Sequence, residues 1–146
     1  MEQNIGYCCI NTELRKQDIY AKKHGHRLSF HPGPFNILGS TKPSVVERTI
    51  IDLDHHSQIF DLMGFDPSPY NKINIHVGAS YGEKQNTLER WMDNFKRLHP
   101  STQKRITLEN DDKLSLYTIV DLMQVHEKCG IPLVFDYHHH NCHPGD

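Results

Sequence analysis

Residues 73–109, INIHVGASYGEKQNTLERWMDNFKRLHPSTQKRITLE, contain the alternation that decides the fold. The stretch opens with the short apolar run Ile73–Val77 and closes with a second one, Ile106–Glu109, and both are typical of buried strands. Four large apolar residues between them recur three or four positions apart: Leu88, Trp91, Phe95 and Leu98. This spacing indicates an amphipathic helix over 83–98. Two strands joined by such a helix run parallel, so the stretch predicts a β-α-β unit.

The same alternation continues toward the C-terminus. A helix is expected over 115–129, with Gly130 as its C-terminal stop, followed by a strand over 133–137. The remaining residues, 138–146, are polar, and we expect a flexible tail there.

Toward the N-terminus, an amphipathic helix is expected from Pro43 to about residue 63, with Gly64 as its stop. Strands are expected over 27–31 and 5–11, and residues 12–26 read as a weak helix or loop. The chain of 146 residues therefore predicts one α/β domain with parallel strands, either an open sheet or a barrel.

Composition narrows the class of protein. The net charge of −2 argues against a histone-like basic DNA-binding protein, although it leaves room for a nuclease that works with divalent cations. There is no apolar run of membrane-spanning length and no signal-peptide pattern at the start, so we expect no membrane association. A cytoplasmic location is expected, or a nuclear one in a eukaryote, with the four cysteines reduced.

Histidine is unusually frequent, at 12 residues, and several histidines fall at predicted strand ends. Each predicted strand after the first ends in a residue able to bind a metal: His31, His76, Glu109 and Asp136, with His139 three residues further. One such histidine is more often an ordinary rim residue, but parallel topology brings four successive strand ends to one face. Mixed imidazole and carboxylate ligands favour Mn²⁺, Zn²⁺ or Fe²⁺, and a multinuclear site of this kind suits phosphodiester hydrolysis.

Five motifs, in this order along the chain, together resemble the UV damage endonuclease family. They are YCCIN (7–11), RLSFHPG (27–33), NIHVG with YGEK (74–78 and 81–84), LENDD (108–112) and GIPLVFDYHH (130–139). The resemblance implies a TIM-type barrel related to endonuclease IV, with Mn²⁺ as the expected cofactor and Zn²⁺ or another divalent cation as an alternative. It also implies UV-damaged double-stranded DNA as the substrate, incised 5′ of the photolesion to begin excision repair.

The same resemblance assigns roles to individual residues. His31 and His76 are implied to bind one ion shared with Glu109, Asp136 to bind an ion on the other side of Glu109, and His139 to bind a third ion. The catalytic set is accordingly Glu109, His31, His76 and Asp136. Tyr7 and Asn11 are implied to contact the lesion, and Pro34-Phe35 stands where the family usually has a Gln-Tyr pair that probes it.

Two departures from the family pattern leave alternative functions open. The segment between Asn11 and Arg27 is short for the family, and the chain supplies about five of eight barrel strands, so a truncated barrel with an incomplete metal site is expected. Exposed barrel edges then predict self-association. The alternatives are an inactive remnant that binds metal or DNA or pairs with another subunit, and a fragment of a sugar-isomerase-like barrel. LENDD and FDYHH favour the endonuclease family over the isomerases.

Overall fold

A three-stranded parallel sheet forms the centre of the protein. A computed structural model describes the backbone of residues 3–145 and the side chains from Thr12 to Gly145. The strands are β1 (Ile73–Ile75), β2 (Ile106–Glu109) and β3 (Leu133–Val134), and they lie in the order β1-β2-β3. Both pairings are parallel, and Phe30 adds a parallel bridge beside Ile73. The predicted parallel topology is confirmed.

Helices separate the strands in sequence. They are α1 (Gln3–Lys23), α2 (Pro43–Met63), α3 (Lys84–Phe95), α4 (Pro100–Arg105), α5 (Ile119–Cys129) and α6 (Tyr137–Cys142), with a 3₁₀ turn at Pro69–Asn71. Every residue of β1 and β2 is buried, as expected for parallel strands covered on both faces. Apolar residues of α2, α3 and α5, including Leu53, Phe60, Leu88, Trp91 and Leu122, complete the core around these strands.

Local sequence signals account for the helix ends. Pro43 lies at the start of α2, where its missing N–H costs nothing, and Gly64 ends the helix in the left-handed conformation at φ 80°. Gly130 ends α5 in the same way at φ 69°. Thr118 and Asp121 form a capping box at the start of α5, in which each side chain accepts a hydrogen bond from the other's backbone N–H. The three predicted central helices are therefore confirmed.

The first predicted strand is wrong. Residues 5–11 lie within α1 instead, because the good helix formers that follow favour helix across the whole segment and no strand among residues 3–145 pairs with it. The second predicted strand, 27–31, is reduced to the single bridge at Phe30, with Pro32 close behind it. The described chain thus has three strands and one bridge rather than five strands.

The polar C-terminal segment is more regular than predicted. Residues Tyr137–Cys142 form α6, and the Asp136 carboxylate caps this helix by accepting the backbone N–H of His139 at 2.9 Å. Helical backbone at 138–142 does not test mobility, so flexibility of 138–146 stays a prediction. Across residues 3–145, no helix has the length and apolar character needed to span a bilayer.

Candidate metal centre

The predicted ligands gather at the carboxyl ends of the strands. Glu109 is the last residue of β2, His76 follows β1 directly, and Asp136 lies two positions after β3. His31 follows the bridge at Phe30, and His139 lies in the first turn of α6. Because all of these strands run parallel, their C-terminal ends open onto one face, and the predicted convergence of the five side chains is what the structure shows.

A first group of possible ligands contains His31, His76 and Glu109, whose donor atoms all lie within 4.8 Å of one another. His31 Nδ1 is 2.9 Å from the backbone oxygen of Asn74. Since a carbonyl can only accept, Nδ1 carries the hydrogen, and Nε2 keeps its lone pair. That Nε2 lies 3.8 Å from Glu109 Oε2, on the side where an ion would bind.

A second group contains Glu109, Asp136 and His139, again within 4.8 Å. His139 Nδ1 lies 2.9 Å from the backbone oxygen of Asn110 and 3.5 Å from Glu109 Oε1. Glu109 therefore belongs to both groups, with Oε2 toward His31 and Oε1 toward His139, and its carboxylate would serve both if ions were bound. The family resemblance implied a separate, third ion at His139, whereas here His139 lies in the same group of possible ligands as Asp136.

Glu109 is only 5% exposed, and a buried hydrogen-bond chain orients it. The side-chain amide of Asn74 donates to Glu109 Oε2, and the Thr107 hydroxyl donates to Asn74 Oδ1 at 2.8 Å. Asn74 and Thr107 are paired residues in the β1–β2 register, which explains why their side chains meet. Sequence analysis did not identify Asn74 as part of the site, although a polar amide within a buried strand is the signal that marks it.

Asn110 holds the second group in a similar way. Its amide donates to the backbone oxygen of Asp136 at 3.1 Å, and its own oxygen accepts the Asp136 N–H at 2.7 Å. This pair of hydrogen bonds ties the end of β2 to the residue that follows β3. Asn110 is also a residue that sequence analysis missed.

The electrostatics of the centre fit a cation. The pKa of Asp136 is lowered because its carboxylate accepts the His139 N–H. Burial lowers the pKa of His139, but the Asn110 carbonyl and the carboxylates of Asp136 and Glu109 outweigh it, so the net shift is upward. The imidazoles thus lie among carboxylate and carbonyl oxygens. A bound divalent ion would neutralise the negative charge of these carboxylates.

Asp111 is an additional buried carboxylate beside the first group. Its Oδ1 lies 3.3 Å from His76 Nδ1, and burial raises its pKa although His76 opposes the shift. Within the described part of the chain, His76 Nδ1 and Asp111 Oδ2 are buried polar atoms with no hydrogen-bond partner. Such atoms are costly unless a ligand satisfies them, so the donor set fits a bound divalent cation.

Comparisons with known proteins agree with this geometry. The family model described as UV-endonuclease UvdE matches residues 3–146. The chain belongs to the UvdE family. It is 46% identical to the UV DNA damage endonuclease of Bacillus pumilus (strain SAFR-032) over 125 residues, which cover 86% of this chain and 38% of that protein. It is 42% identical to the UV DNA damage endonuclease of Bacillus cereus (strain B4264) over 140 residues, covering 95% of this chain and 43% of that protein.

A solved structure, described as the crystal structure of SacUVDE, superposes with a TM-score of 0.83 at 35% identity. The match covers 90% of this chain and 44% of SacUVDE. The fold is therefore a partial TIM-type α/β fold, as predicted. The chain spans about two fifths of the length of the curated relatives that it matches, 38% and 43% for the two Bacillus proteins.

The residues predicted to contact a lesion in this UvdE-family chain are only partly described. Pro34 and Phe35 lie on an exposed loop, and Phe35 is 85% exposed. Both line an open groove of about 590 Å³ together with His76, Asp111 and His139. The side chains of Tyr7 and Asn11 lie outside the described residues, and their backbone belongs to α1 rather than to a strand end.

Lys84 of the YGEK motif makes two contacts to the body of the protein. Its ammonium lies 3.0 Å from Asp121 Oδ2 and 5.7 Å from the centre of the Tyr117 ring. Lys84 is half-buried and joins the start of α3 to the start of α5. Its role in the described structure is therefore to connect two helices that flank the groove.

Proposed function

We propose that this chain acts as a metal-dependent DNA repair endonuclease that hydrolyses the phosphodiester backbone of UV-damaged double-stranded DNA on the 5′ side of a photolesion. The single observation that carries the proposal is the position of Glu109, a buried carboxylate shared by two groups of possible ligands. One member of each group, His76 and His139, lines the open groove beside Phe35. The family membership supports the substrate class, and incision on the 5′ side of the lesion is part of the proposal.

In this proposal His31, His76 and Glu109 hold one divalent ion, and Glu109, Asp136 and His139 hold another. Mn²⁺ is the proposed ion, because mixed nitrogen and oxygen ligands suit it better than Mg²⁺ or Ca²⁺. A bound divalent ion supplies Lewis acidity toward the phosphodiester and activates water near neutral pH. The chain's own contribution is to fix the ligand directions: His31 through the Asn74 carbonyl, His139 through the Asn110 carbonyl and Glu109 through the Asn74 amide.

Phe35 supplies a contact to the damaged bases in this proposal. Its exposed ring can stack against or wedge between bases, as aromatic side chains do at nucleic-acid surfaces. Pro34 has no side-chain amide or hydroxyl, so this pair reads the lesion by shape and stacking rather than by hydrogen bonds. Tyr7 and Asn11 are proposed as further lesion contacts from the family motif alone.

The test uses the full chain, UV-irradiated supercoiled plasmid and Mn²⁺. The wild type should convert irradiated plasmid to the nicked form and leave unirradiated plasmid intact, and Glu109→Gln should abolish nicking. Glu127→Gln is the matched control, because Glu127 is an exposed carboxylate on α5. Nicking by Glu109→Gln at the wild-type rate would overturn the proposal.

Metal binding is measured separately by equilibrium titration with Mn²⁺. His31→Ala should weaken binding to the first group and Asp136→Ala binding to the second, whereas Glu109→Gln should weaken both. Tight Mn²⁺ binding by a wild type that never nicks irradiated plasmid would favour the alternative, a non-catalytic chain that binds metal or DNA or pairs with another subunit.

A further inference from the structure

A second open groove lies on the other side of Phe35. It encloses about 610 Å³, and Phe35 lines both this groove and the one that leads to the metal ligands. Its walls include Lys42 at the start of α2, Arg48 in the next turns of that helix, and Tyr81 from the loop before α3. Phe35 thus stands as a ridge between the candidate metal centre and this basic, aromatic groove, hereafter the flanking groove.

The ridge is anchored to the body of the protein directly after Phe35. The Ile37 N–H donates to Thr49 Oγ1 at 3.0 Å, which fixes the loop to α2. The Asn94 amide donates to the Leu38 carbonyl at 2.8 Å, and the Leu38 side chain is fully buried. An exposed aromatic ring on so firmly attached a loop is a pre-organised contact, which binds a ligand without the entropic cost of ordering the loop.

The charges of the flanking groove suit a polyanion. Lys42 and Arg48 are both exposed, and neither forms an ion pair with any described residue. The Arg48 side chain donates from Nε to the Ser44 carbonyl of its own helix, at 3.3 Å. One carboxylate, Asp52, also lines the groove, and His56 lies 3.7 Å from it. Two unpaired cations on one wall favour phosphates of a nucleic-acid backbone.

Tyr81 carries the second observation. Among residues 3–145 it is the one non-glycine residue with positive φ, at 43°, while its neighbours in the same loop, Gly78 and Gly82, adopt positive φ at no cost. A tyrosine in this conformation is strained, and such strain concentrates at functional sites. The conformation places a 37%-exposed ring at the wall of the flanking groove. Phe35 and Tyr81 therefore offer two aromatic faces beside two cations, which is the composition of a single-strand nucleic-acid groove.

We propose that the flanking groove binds the DNA strand that continues away from the lesion, with Lys42 and Arg48 on its phosphates and Tyr81 stacked on an unpaired base. This inference rests on the proposed function for the identity of the ligand. Both grooves have Phe35 on their walls, so a strand held at the metal centre can pass over Phe35 into the flanking groove.

The experiment measures binding without metal chemistry. A fluorescein-labelled duplex with one thymine dimer is titrated with the full chain in EDTA, at several KCl concentrations, and followed by fluorescence anisotropy. The variant Lys42→Ala/Arg48→Ala is compared with Lys104→Ala/Lys128→Ala, which removes the same charge from exposed positions on α4 and α5.

Loss of two phosphate contacts should make the slope of log K against log salt shallower by about 1.4 to 1.8, and weaken binding roughly tenfold or more at 0.1 M salt. The Lys104/Lys128 control should keep nearly the wild-type slope. If the two double variants bind equally, or if the wild type does not bind the duplex, the flanking groove does not hold DNA and the proposal is overturned.

Stacking is tested with 2-aminopurine placed next to the dimer. Tyr81→Gly suits the positive φ of this position, so it removes the ring without a folding penalty, and Tyr81→Phe keeps the ring. Tyr81→Gly should lose the quenching of 2-aminopurine and bind at least about fivefold more weakly, whereas Tyr81→Phe should resemble the wild type. Equal quenching in all three proteins would overturn the stacking contact.

These outcomes separate the two proposals. Normal DNA binding that depends on Lys42 and Arg48, without Mn²⁺-dependent nicking of irradiated plasmid, would overturn the proposed endonuclease activity and leave the flanking groove supported. Mn²⁺-dependent nicking that requires Glu109, together with salt slopes that are equal for the two double variants, would overturn the flanking groove alone.

Discussion

Asn74 is a residue of the candidate site whose replacement should change both stability and metal affinity. Its amide donates to Glu109, and its oxygen accepts from Thr107 at 2.8 Å, with all three side chains buried in the β1–β2 pair. Asn74→Ala removes both hydrogen bonds at once. The Glu109 carboxylate and the Thr107 hydroxyl are then left in the protein interior without these partners, and water has little access to replace them.

The expected loss of stability follows from those two bonds. A hydrogen bond to a charged group contributes about 1.5–3 kcal/mol, and a neutral one about 1 kcal/mol, so Asn74→Ala should lower the free energy of unfolding by about 3 kcal/mol. For a domain of this size, 1 kcal/mol corresponds to a fall in melting temperature of roughly 2–4 °C, which gives about 6–12 °C. Loss of a residue that orients a metal ligand should also weaken Mn²⁺ binding about 10- to 100-fold.

The assay is thermal unfolding in EDTA followed by circular dichroism, together with a Mn²⁺ titration. Asn94→Ala is the matched control: Asn94 also makes two side-chain hydrogen bonds, to the Leu38 carbonyl and from Arg97, but neither involves a carboxylate and the residue is only half-buried. The control should unfold closer to the wild type and bind Mn²⁺ normally. An Asn74→Ala protein that matches the Asn94→Ala protein in both measurements would refute the role given to the buried chain.

Three further predictions concern the scaffold and the metal. The Arg105 side chain is fully buried and bonds a carboxylate and two carbonyls, so Arg105→Ala should lower the free energy of unfolding in urea by about 3–5 kcal/mol; an unchanged midpoint would contradict this. Burial raises the pKa of Asp121, but hydrogen bonds from Thr118 and Lys84 outweigh it and lower the pKa below 3.8. The stabilisation from ionised Asp121 is therefore present above pH 3.8 and lost as the pH falls through the lowered pKa. The wild type should be more stable than Asp121→Asn by under about 1 kcal/mol at pH 7, and this difference should vanish in acid. Mn²⁺ at a hundred times its Kd should stabilise the wild type by about 2.7 kcal/mol, reversibly with EDTA, and the same Mn²⁺ concentration should stabilise Glu109→Gln less.

The central β-α-β order and the convergence of the five ligands follow from signals that act locally. Apolar spacing, the helix start at Pro43 and the helix stops at Gly64 and Gly130 were sufficient to place α2 and α5, and parallel topology then brought the strand ends together. Chain direction in a β-α-β unit is fixed by the connection, so the sequence pattern predicts it without knowledge of tertiary contacts.

The features that the sequence did not predict depend on contacts between residues far apart in the chain. Residues 5–11 have the composition of a strand, but a strand forms only where another strand pairs with it, and this segment continues a helix through residue 23 instead. The roles of Asn74 and Asn110 depend on register: one pairs with Thr107 across the sheet, and the other bonds a residue 26 positions away. A polar amide within a buried strand marks Asn74 as unusual, but the bonding partners of Asn74 and Asn110 cannot be identified from the local sequence.

The main chain fixes much of the candidate site before any ion binds. His31 and His139 each direct Nδ1 to a backbone carbonyl, so their Nε2 atoms are aimed by the sheet and by the loop after β2 rather than by other ligands. Replacing either imidazole should therefore weaken metal binding and leave the fold intact. Glu109 differs, because its direction depends on the buried Asn74 side chain and both ligand groups depend on its carboxylate. A change at Asn74 or Glu109 should therefore alter both metal affinity and fold stability, whereas a change at His31 or His139 should alter metal affinity alone. Comparison of a histidine variant with Asn74→Ala thus distinguishes a preformed centre from one that the ion itself organises.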